Sequence, residues 1–440
     1  MSELNRSTAP NVVILGNGIA GVSAALSLRQ RRKDARITLV SGESDTFFSR
    51  TALMYIYMGH MRLADTQPHA PWFWREKRIE RVQGWVSAVD TDARRLRFDD
   101  GRALAYDTLV LATGSVPNRF GWPGQDLPGV QGLYSLQDLE RLERETPAVK
   151  DAVVVGGGLI GIELAEMLHS RGIGVTILSR ESAYWDNALP QLEAEIVGEV
   201  IRAAGIGLRL SIGLRTVEAG LDGRASSVVT TTGERLSAQL VGLTAGVRPN
   251  LGALPGSNVP IARGVLVDRT LRTSIPGVWA CGDCAEIRDP AAPNTPGVVE
   301  TLWYTGRMQG ERCGENIAAA WADTPPTPYT RGVPFNSAKF IDLEWHTYGD
   351  VGNATQTSPE DLVWVHRGRR HLMRLAVRDG RVVGVNALGL RQRQSTWTRW
   401  IEEGRTPSHV IDRLAEAHFD PELSRRFERE IAGALREQLR

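Results

Sequence analysis

Six glycines in two copies of one pattern carry the clearest chemistry of the 440-residue chain. Gly16, Gly18 and Gly21 lie in NVVILGNGIAG, and Gly156, Gly158 and Gly161 in AVVVGGGLIGIEL. In GxGxxG spacing the first two glycines permit a tight turn and close approach of a pyrophosphate, and the third lets a helix pack closely on a strand. The helix N-terminus that follows adds partial positive charge. A lone GxGxxG is a weak signal, but each copy here stands in a strand–helix–strand context. The run VVIL leads into the first loop, helix-compatible VSAALSLRQRR follows, and ITLV at 37–40 closes the unit; VTIL at 175–178 closes the second. Two such units predict two bound dinucleotides.

The residues just past each closing strand bear on which dinucleotides these are. A carboxylate about 20 residues beyond the glycines accepts from the ribose 2′-OH of NADH. Ser179 and Arg180 stand there in the second unit, and serine plus arginine suits a 2′-phosphate. This tilts the reading toward NADPH and leaves NADH open, because no second basic residue is evident. In the first unit the acid is displaced past Ser41 and Gly42 to Glu43, a candidate for the adenosine ribose. Cys281 and Cys284 form a CxxC pair, a spacing used by redox disulfides and by zinc sites. No second CxxC or HxxH completes a zinc set, and Cys313 reads as a small buried hydrophobe.

A chain of this length exceeds one ordinary core, so two to four domains are expected. A charged fraction of 23% and a net charge of +1 suit a soluble globular protein and give no support for nucleic-acid binding. No apolar run approaches the roughly 20 residues of a membrane span, and MSELNRSTAP lacks the apolar core of a secretory signal. Three cysteines suit a reducing compartment, which makes the expected location cytoplasmic.

Three more segments complete a pattern: YDTLVLATGSVPN at 106–118, LVGLTAGVRPN at 240–250 and VWACGDCA at 278–285. With the two glycine loops they resemble, across residues 10–325, the FAD- and NAD(P)-dependent reductases of the glutathione reductase superfamily. The resemblance implies an α/β fold of two Rossmann-like, three-layer nucleotide-binding domains plus a C-terminal α+β interface domain. It places an FAD domain at 1–120 and 251–325, an NAD(P) domain at 121–250, and the interface domain with a helical extension at 330–440. FAD would then be held by Gly16, Gly18, Gly21, Glu43, Arg50, Val86, Thr113, Gly114 and Asp283. The nicotinamide nucleotide would be held by Gly156, Gly158, Gly161, Ser179, Arg180 and Gly246.

At 47–60, FFSRTALMYIYMGH lies where the thiol-relay members of that superfamily carry a cysteine or a CxxxxC pair, and it has neither. The stretch resembles instead the Y-x-R-x-x-L…G pattern of ferredoxin reductases, rubredoxin reductases and the flavin part of nitrite reductases, matched by Phe48, Arg50, Leu53 and Gly59. The resemblance implies hydride transfer from NAD(P)H to FAD, then direct passage of electrons to a small iron–sulfur protein such as ferredoxin or rubredoxin. A quinone or small-molecule reductase, or a non-enzymatic redox-responsive flavoprotein, is the alternative. It places Arg50 near the flavin or its phosphates, with a turn cap as the other reading. Glu163 would face nicotinamide and flavin, and Glu300 and Trp303, in ETLWYTGRMQGERCGE, would lie on the acceptor side. Tyr55 stands where that branch often has a lysine.

The proline-rich TPPTPYTRGVP at 324–334 marks a boundary. Beyond it LVWVH, RHLMRLAV and RVVGVNALG read as strands, the last two joined by the hairpin signal Asp379-Gly380. Leu423, Phe427, Ile431, Leu435 and Leu439 mark one face of a terminal helix. That stripe suits a membrane-surface anchor, a docking surface, or packing and homodimerisation; the many interspersed acids weaken the membrane reading. Arg29, Arg31, Arg32 and Lys33, or the arginines from Arg367 to Arg374, could meet an acidic ferredoxin or be solvated surface.

Overall fold

A computed structural model describes residues 10–289, 295–420, 422 and 424–440, so Leu423 of the terminal stripe lies outside the described residues. Its contacts divide the chain into two units, one of Met1–Asn118, Tyr134–Arg144 and Val247–Arg331, the other of Arg119–Leu133, Glu145–Gly246 and Gly332–Arg440. The fold is α/β, with a Rossmann-like parallel sheet in each unit.

In the first unit the strands run in the order Val278–Ala280, Thr108–Leu111, Asn11–Leu15, Arg36–Ser41 and Ile79–Gln83, all parallel. The two central strands, VVIL and TLVL, are buried throughout, as expected for a parallel sheet covered on both faces. One cover is the helix Ile19–Arg31, which packs on the long helix Trp303–Trp321. Glycines make that packing close: a Cβ on Gly310 would lie 2.2 Å from the Ala20 carbonyl oxygen, and one on Gly314 2.5 Å from that of Ala24. The segments around the two glycine turns, Ser115–Pro117 and Val247–Pro249, pair with each other as an antiparallel ribbon.

The second unit repeats the plan, with parallel strands in the order Gly207–Arg209, Gly174–Leu178, Asp151–Val155, Leu240–Leu243 and Val130–Gln131. To it belongs a five-stranded antiparallel sheet, ordered Phe335–Phe340, Leu343–Gly349, Arg381–Leu388, Leu372–Arg378 and Leu362–Val365. Asp379 and Gly380 join two of these strands with φ of +51° and +68°, the left-handed pair that a type I′ hairpin turn requires. Three short helices follow, Gln394–Glu402, Pro407–Asp412 and Glu428–Gln438. Phe427, Ile431 and Leu435 are buried in one cluster with Trp364, Met373 and Trp397 of the sheet and the first of those helices. The terminal stripe is therefore spent on packing at these positions. Among the described residues no helix is long and apolar enough to cross a membrane.

Six side chains of the basic clusters have partners, some of them in exposed surface pairs. Arg29 is buried and donates to the carbonyl oxygens of Lys33 and Arg78 at 3.0 and 2.7 Å, while Arg31 and Arg32 pair with Glu315 and Asp34. Arg369 pairs with Glu199 and Arg370 with Asp342. Arg374 is buried and grips Glu193 with two hydrogen bonds, 2.7 and 3.0 Å, on the first turn of the helix Gln191–Ala203. Asn386 adds a third donor to Glu193 at 3.2 Å. This pair joins the antiparallel sheet to that helix. Arg374 also lies 3.4 Å from the buried Asp361 carboxylate, which keeps Arg378 at 2.7 Å as a second partner. Burying charges costs desolvation that pairing offsets, so removing Arg374 leaves Glu193 without its cation. Arg374→Met is expected to lower the unfolding free energy by about 3–5 kcal/mol in chemical denaturation. The double variant R374M/E193M should recover most of that loss.

Candidate functional site: two dinucleotide cradles

The first glycine loop is shaped by sterics that exclude any side chain. Gly16 has φ of +117°, and a Cβ there would lie 2.0 Å from the Ala112 carbonyl oxygen. A Cβ on Gly21 would lie 2.0 Å from the Gly16 carbonyl oxygen, which is the close helix–strand packing its place in the motif calls for. Gly18 is different, since a Cβ on it would meet nothing within 4 Å. It caps a helix with no side-chain cap and no acid in its first turn. The first turn is thus uncapped and the space beside Gly18 is open, which suits a pyrophosphate.

Around this loop five polar side chains form one network. Arg50 donates to both carboxylate oxygens of Glu43, at 2.8 and 2.5 Å, and to the Tyr134 carbonyl oxygen at 2.5 Å. Its guanidinium also lies 4.5 Å from the centre of the Tyr134 ring. Glu43 accepts a further bond from the Leu136 amide at 2.8 Å. The Ser115 amide donates to the Tyr134 hydroxyl at 2.9 Å, and the Ser115 hydroxyl donates to Asp283 at 2.8 Å. Burial pushes the Asp283 carboxyl up, against the Ser115 bond and the Arg50 charge, which pull it down. Thr113 donates to the Asn250 carbonyl oxygen at 2.7 Å and holds the turn at Gly114, whose φ is +70°. Val86 opens the strand Val86–Asp90, and beside it the exposed Trp85 ring would lie 2.2 Å from a Cβ on Gly42. No sequence motif pointed to Tyr134 or Trp85.

Glu300 is buried and accepts from the Tyr329 hydroxyl at 2.7 Å and from Gln309 at 2.9 Å. Gln309 in turn accepts from the Gly282 amide at 2.8 Å, so Glu300 braces the turn that carries Asp283. Trp303 begins the helix Trp303–Trp321, half-buried with its ring edge-on to Tyr304. Cys281, Cys284 and Cys313 are free thiols, all fully buried. Burial pushes Cys284 up to about 12, and the hydrogen bond with Cys313, then burial, raises Cys281. Neutral, buried thiols are poor nucleophiles. Among the described residues, no group of three or more His, Cys, Asp or Glu side chains is placed to hold a metal ion.

The second loop reproduces the first. Gly156 has φ of +125° with a virtual Cβ 2.5 Å from the Thr244 carbonyl oxygen, and Gly161 packs 2.2 Å from the Gly156 carbonyl oxygen in the same sense. Gly158 caps the helix Leu159–Ser170, again with no side-chain cap and no acid in the first turn. Gly246 ends the matching turn with φ of +80°. Ser179 is buried and donates to Glu181 at 2.5 Å, while Arg180 is exposed. Glu181 sits two places beyond Ser179, so the sequence does carry an acid near the expected position, one residue past Arg180. Glu163 is half-buried on the loop helix, and burial, then the charge of Glu166, raises its carboxyl from 4.5 to about 7. Glu166 pairs with Lys339 at 2.6 Å.

Two parallel sheets, each ending in an open glycine loop, define an oxidoreductase fold built for two dinucleotides. The chain belongs to the pyridine nucleotide-disulphide oxidoreductase family, whose profile matches residues 10–310. It is 31% identical over 385 residues to a rubredoxin-NAD(+) reductase of Pseudomonas putida, covering 87% of this chain and 97% of that one. It is 29% identical over 400 residues to the ferredoxin--NAD(+) reductase component of a biphenyl dioxygenase system of Paraburkholderia xenovorans, covering 89% and 92%. The putidaredoxin reductase–putidaredoxin complex has the same fold, with a TM-score of 0.78 at 22% identity over 97% of this chain and 99% of that one.

Linkage turns the Glu163 shift into a pH effect. A carboxyl raised in the folded state favours folding while protonated and loses that contribution as pH rises from 4.5 through about 7. The stability of Glu163→Gln relative to the parent protein should therefore increase across that window and level off above it, as read from unfolding midpoints at a series of pH values.

Proposed function

We propose that the protein is an FAD-dependent reductase that draws hydride from NADH and delivers electrons singly to a small iron–sulfur protein. The observation that carries this reading is the pairing of two open glycine cradles with thiols that are all buried and free. FAD, when bound, supplies the exchange between a two-electron donor and one-electron acceptors. Gly16, Gly18 and Gly21 would hold its pyrophosphate, with Thr113, Gly114 and Asp283 along the rest of the molecule. The Arg50–Glu43 pair fixes the end of the strand Arg36–Ser41 beside that loop. Glu300 acts one step back, by bracing the Gly282–Asp283 turn.

NADH is favoured over NADPH by Glu181. Its carboxylate, held by Ser179 at the end of the strand Gly174–Leu178, would repel a 2′-phosphate and accept from a 2′-hydroxyl. Ferredoxin and rubredoxin come into the proposal from the names of the relatives, and the absence of a thiol at 47–60 supports direct transfer.

Stopped-flow reduction by each nicotinamide, followed by reoxidation with ferredoxin, rubredoxin, quinone and oxygen, tests the reading. Faster reduction by NADH and fast reoxidation by an iron–sulfur protein are expected. Fast reoxidation by quinone but by neither iron–sulfur protein overturns the acceptor class. The double variant C281A/C284A should keep turnover within about twofold, because protonated buried thiols carry no electrons. Collapse of turnover with FAD retained would refute direct transfer.

A further inference from the structure

Resting on that reading of the second loop, we infer that Trp185 binds the nicotinamide dinucleotide, its indole N–H donating to the pyrophosphate. Trp185 has φ of +56°, a left-handed conformation that bulky residues avoid. Such a conformation persists only where the surroundings determine it several times over. Here they do. The Trp185 carbonyl oxygen accepts from the amides of Ala188 and Leu189, both at 2.9 Å. The Asp186 carboxylate accepts from the amides of Ser182 and Ala183 at 3.0 and 3.1 Å and closes the turn from the other side.

The indole ring is clamped by the antiparallel sheet, with ring centres 6.2 Å from Phe340 and 5.4 Å from Trp345. Trp345 is itself fixed, because its indole N–H donates to Asn386 at 2.5 Å and Asn386 donates to Glu193. What this strained, braced arrangement achieves is the placement of one atom. Trp185 Nε1 lies 4.0 Å from where a Cβ on Gly158 would point, and nothing else comes that close to the position. The side chain is only half-buried, which leaves this N–H within reach of a ligand. The neighbouring Tyr184 hydroxyl, by contrast, is already used on the Gly158 carbonyl oxygen at 3.0 Å. An open donor set beside the unpaired amides of a helix N-terminus is matched to an anionic oxygen. The first loop has no such side chain, since Gly18 faces empty space.

Trp185→Phe keeps a ring in the clamp and deletes the donor. Calorimetric titration of the FAD-loaded protein with tetrahydro-NADH, which binds but cannot give hydride, should show Kd raised about tenfold. KM for NADH should rise with it while kcat, FAD content and the unfolding midpoint stay unchanged. Reduced nicotinamide mononucleotide, which has no pyrophosphate, should bind parent and variant alike. Trp185→Leu carries the same expectation and serves if the phenylalanine variant does not fold. Unchanged Kd for tetrahydro-NADH, or an equal loss for the mononucleotide, overturns the assignment. Gly158→Val separates the two levels of the claim. If it leaves tetrahydro-NADH binding intact, the second loop is not the nicotinamide site and the whole reading falls. If it abolishes binding while Trp185→Phe binds as the parent does, only the role of Trp185 falls.

Discussion

A helix begins with amide groups that have no partner inside the helix, and in this protein two helices start at a glycine with no side-chain cap and no acid in the first turn. Water can satisfy such groups and an anion satisfies them better, and leaving them uncapped dictates much of what surrounds each loop. The chain must turn sharply from a strand into the helix, which puts backbone where a side chain would stand. Hence Gly16 and Gly156 lie against the carbonyl oxygens of Ala112 and Thr244, at the ends of the neighbouring central strands. Sheet order and loop shape are thus one requirement seen twice.

The parts of the structure that were legible in the sequence are those with local causes. Glycine spacing marked both loops, apolar runs marked the central parallel strands, and Asp379-Gly380 marked a hairpin that forms with both residues left-handed. Period and punctuation marked three strands of the antiparallel sheet, but not Phe335–Phe340 and Leu343–Gly349, whose mixed polar and aromatic residues break the alternation. The terminal stripe was visible as a face, but what covers it was not, because Trp364, Met373 and Trp397 come from segments well apart in the chain. Tyr134 was silent for a similar reason: it meets Arg50 across 84 positions, and no motif records such a meeting. Arg374 looked like one of a surface group and is instead the buried partner of Glu193, 181 positions away. Trp185 escaped notice because its backbone conformation, not its spacing, is what singles it out.

The thiols show how the same motif can mean opposite things. CGDC has the spacing of a redox pair, yet the turn that carries it points both sulfurs into the core, where Cys284 donates to the Leu111 carbonyl oxygen at 3.3 Å. The residue of that motif proposed to meet FAD is the aspartate between them. Its position is fixed twice, by Ser115 from the strand side and by the Glu300–Gln309 brace from the helix side.

The first unit is stitched from three stretches of chain, with its edge strand Val278–Ala280 and its helix Trp303–Trp321 arriving late. At the ribosome the first glycine loop therefore emerges without its edge strand and covering helix, and waits for roughly 300 further residues, on the order of 15–60 s at ordinary synthesis rates. The stretch Glu145–Gly246 is contiguous and needs no such delay to form its own sheet. During that interval the apolar strands of the earlier half lack the cover that the glycine-rich helix later provides.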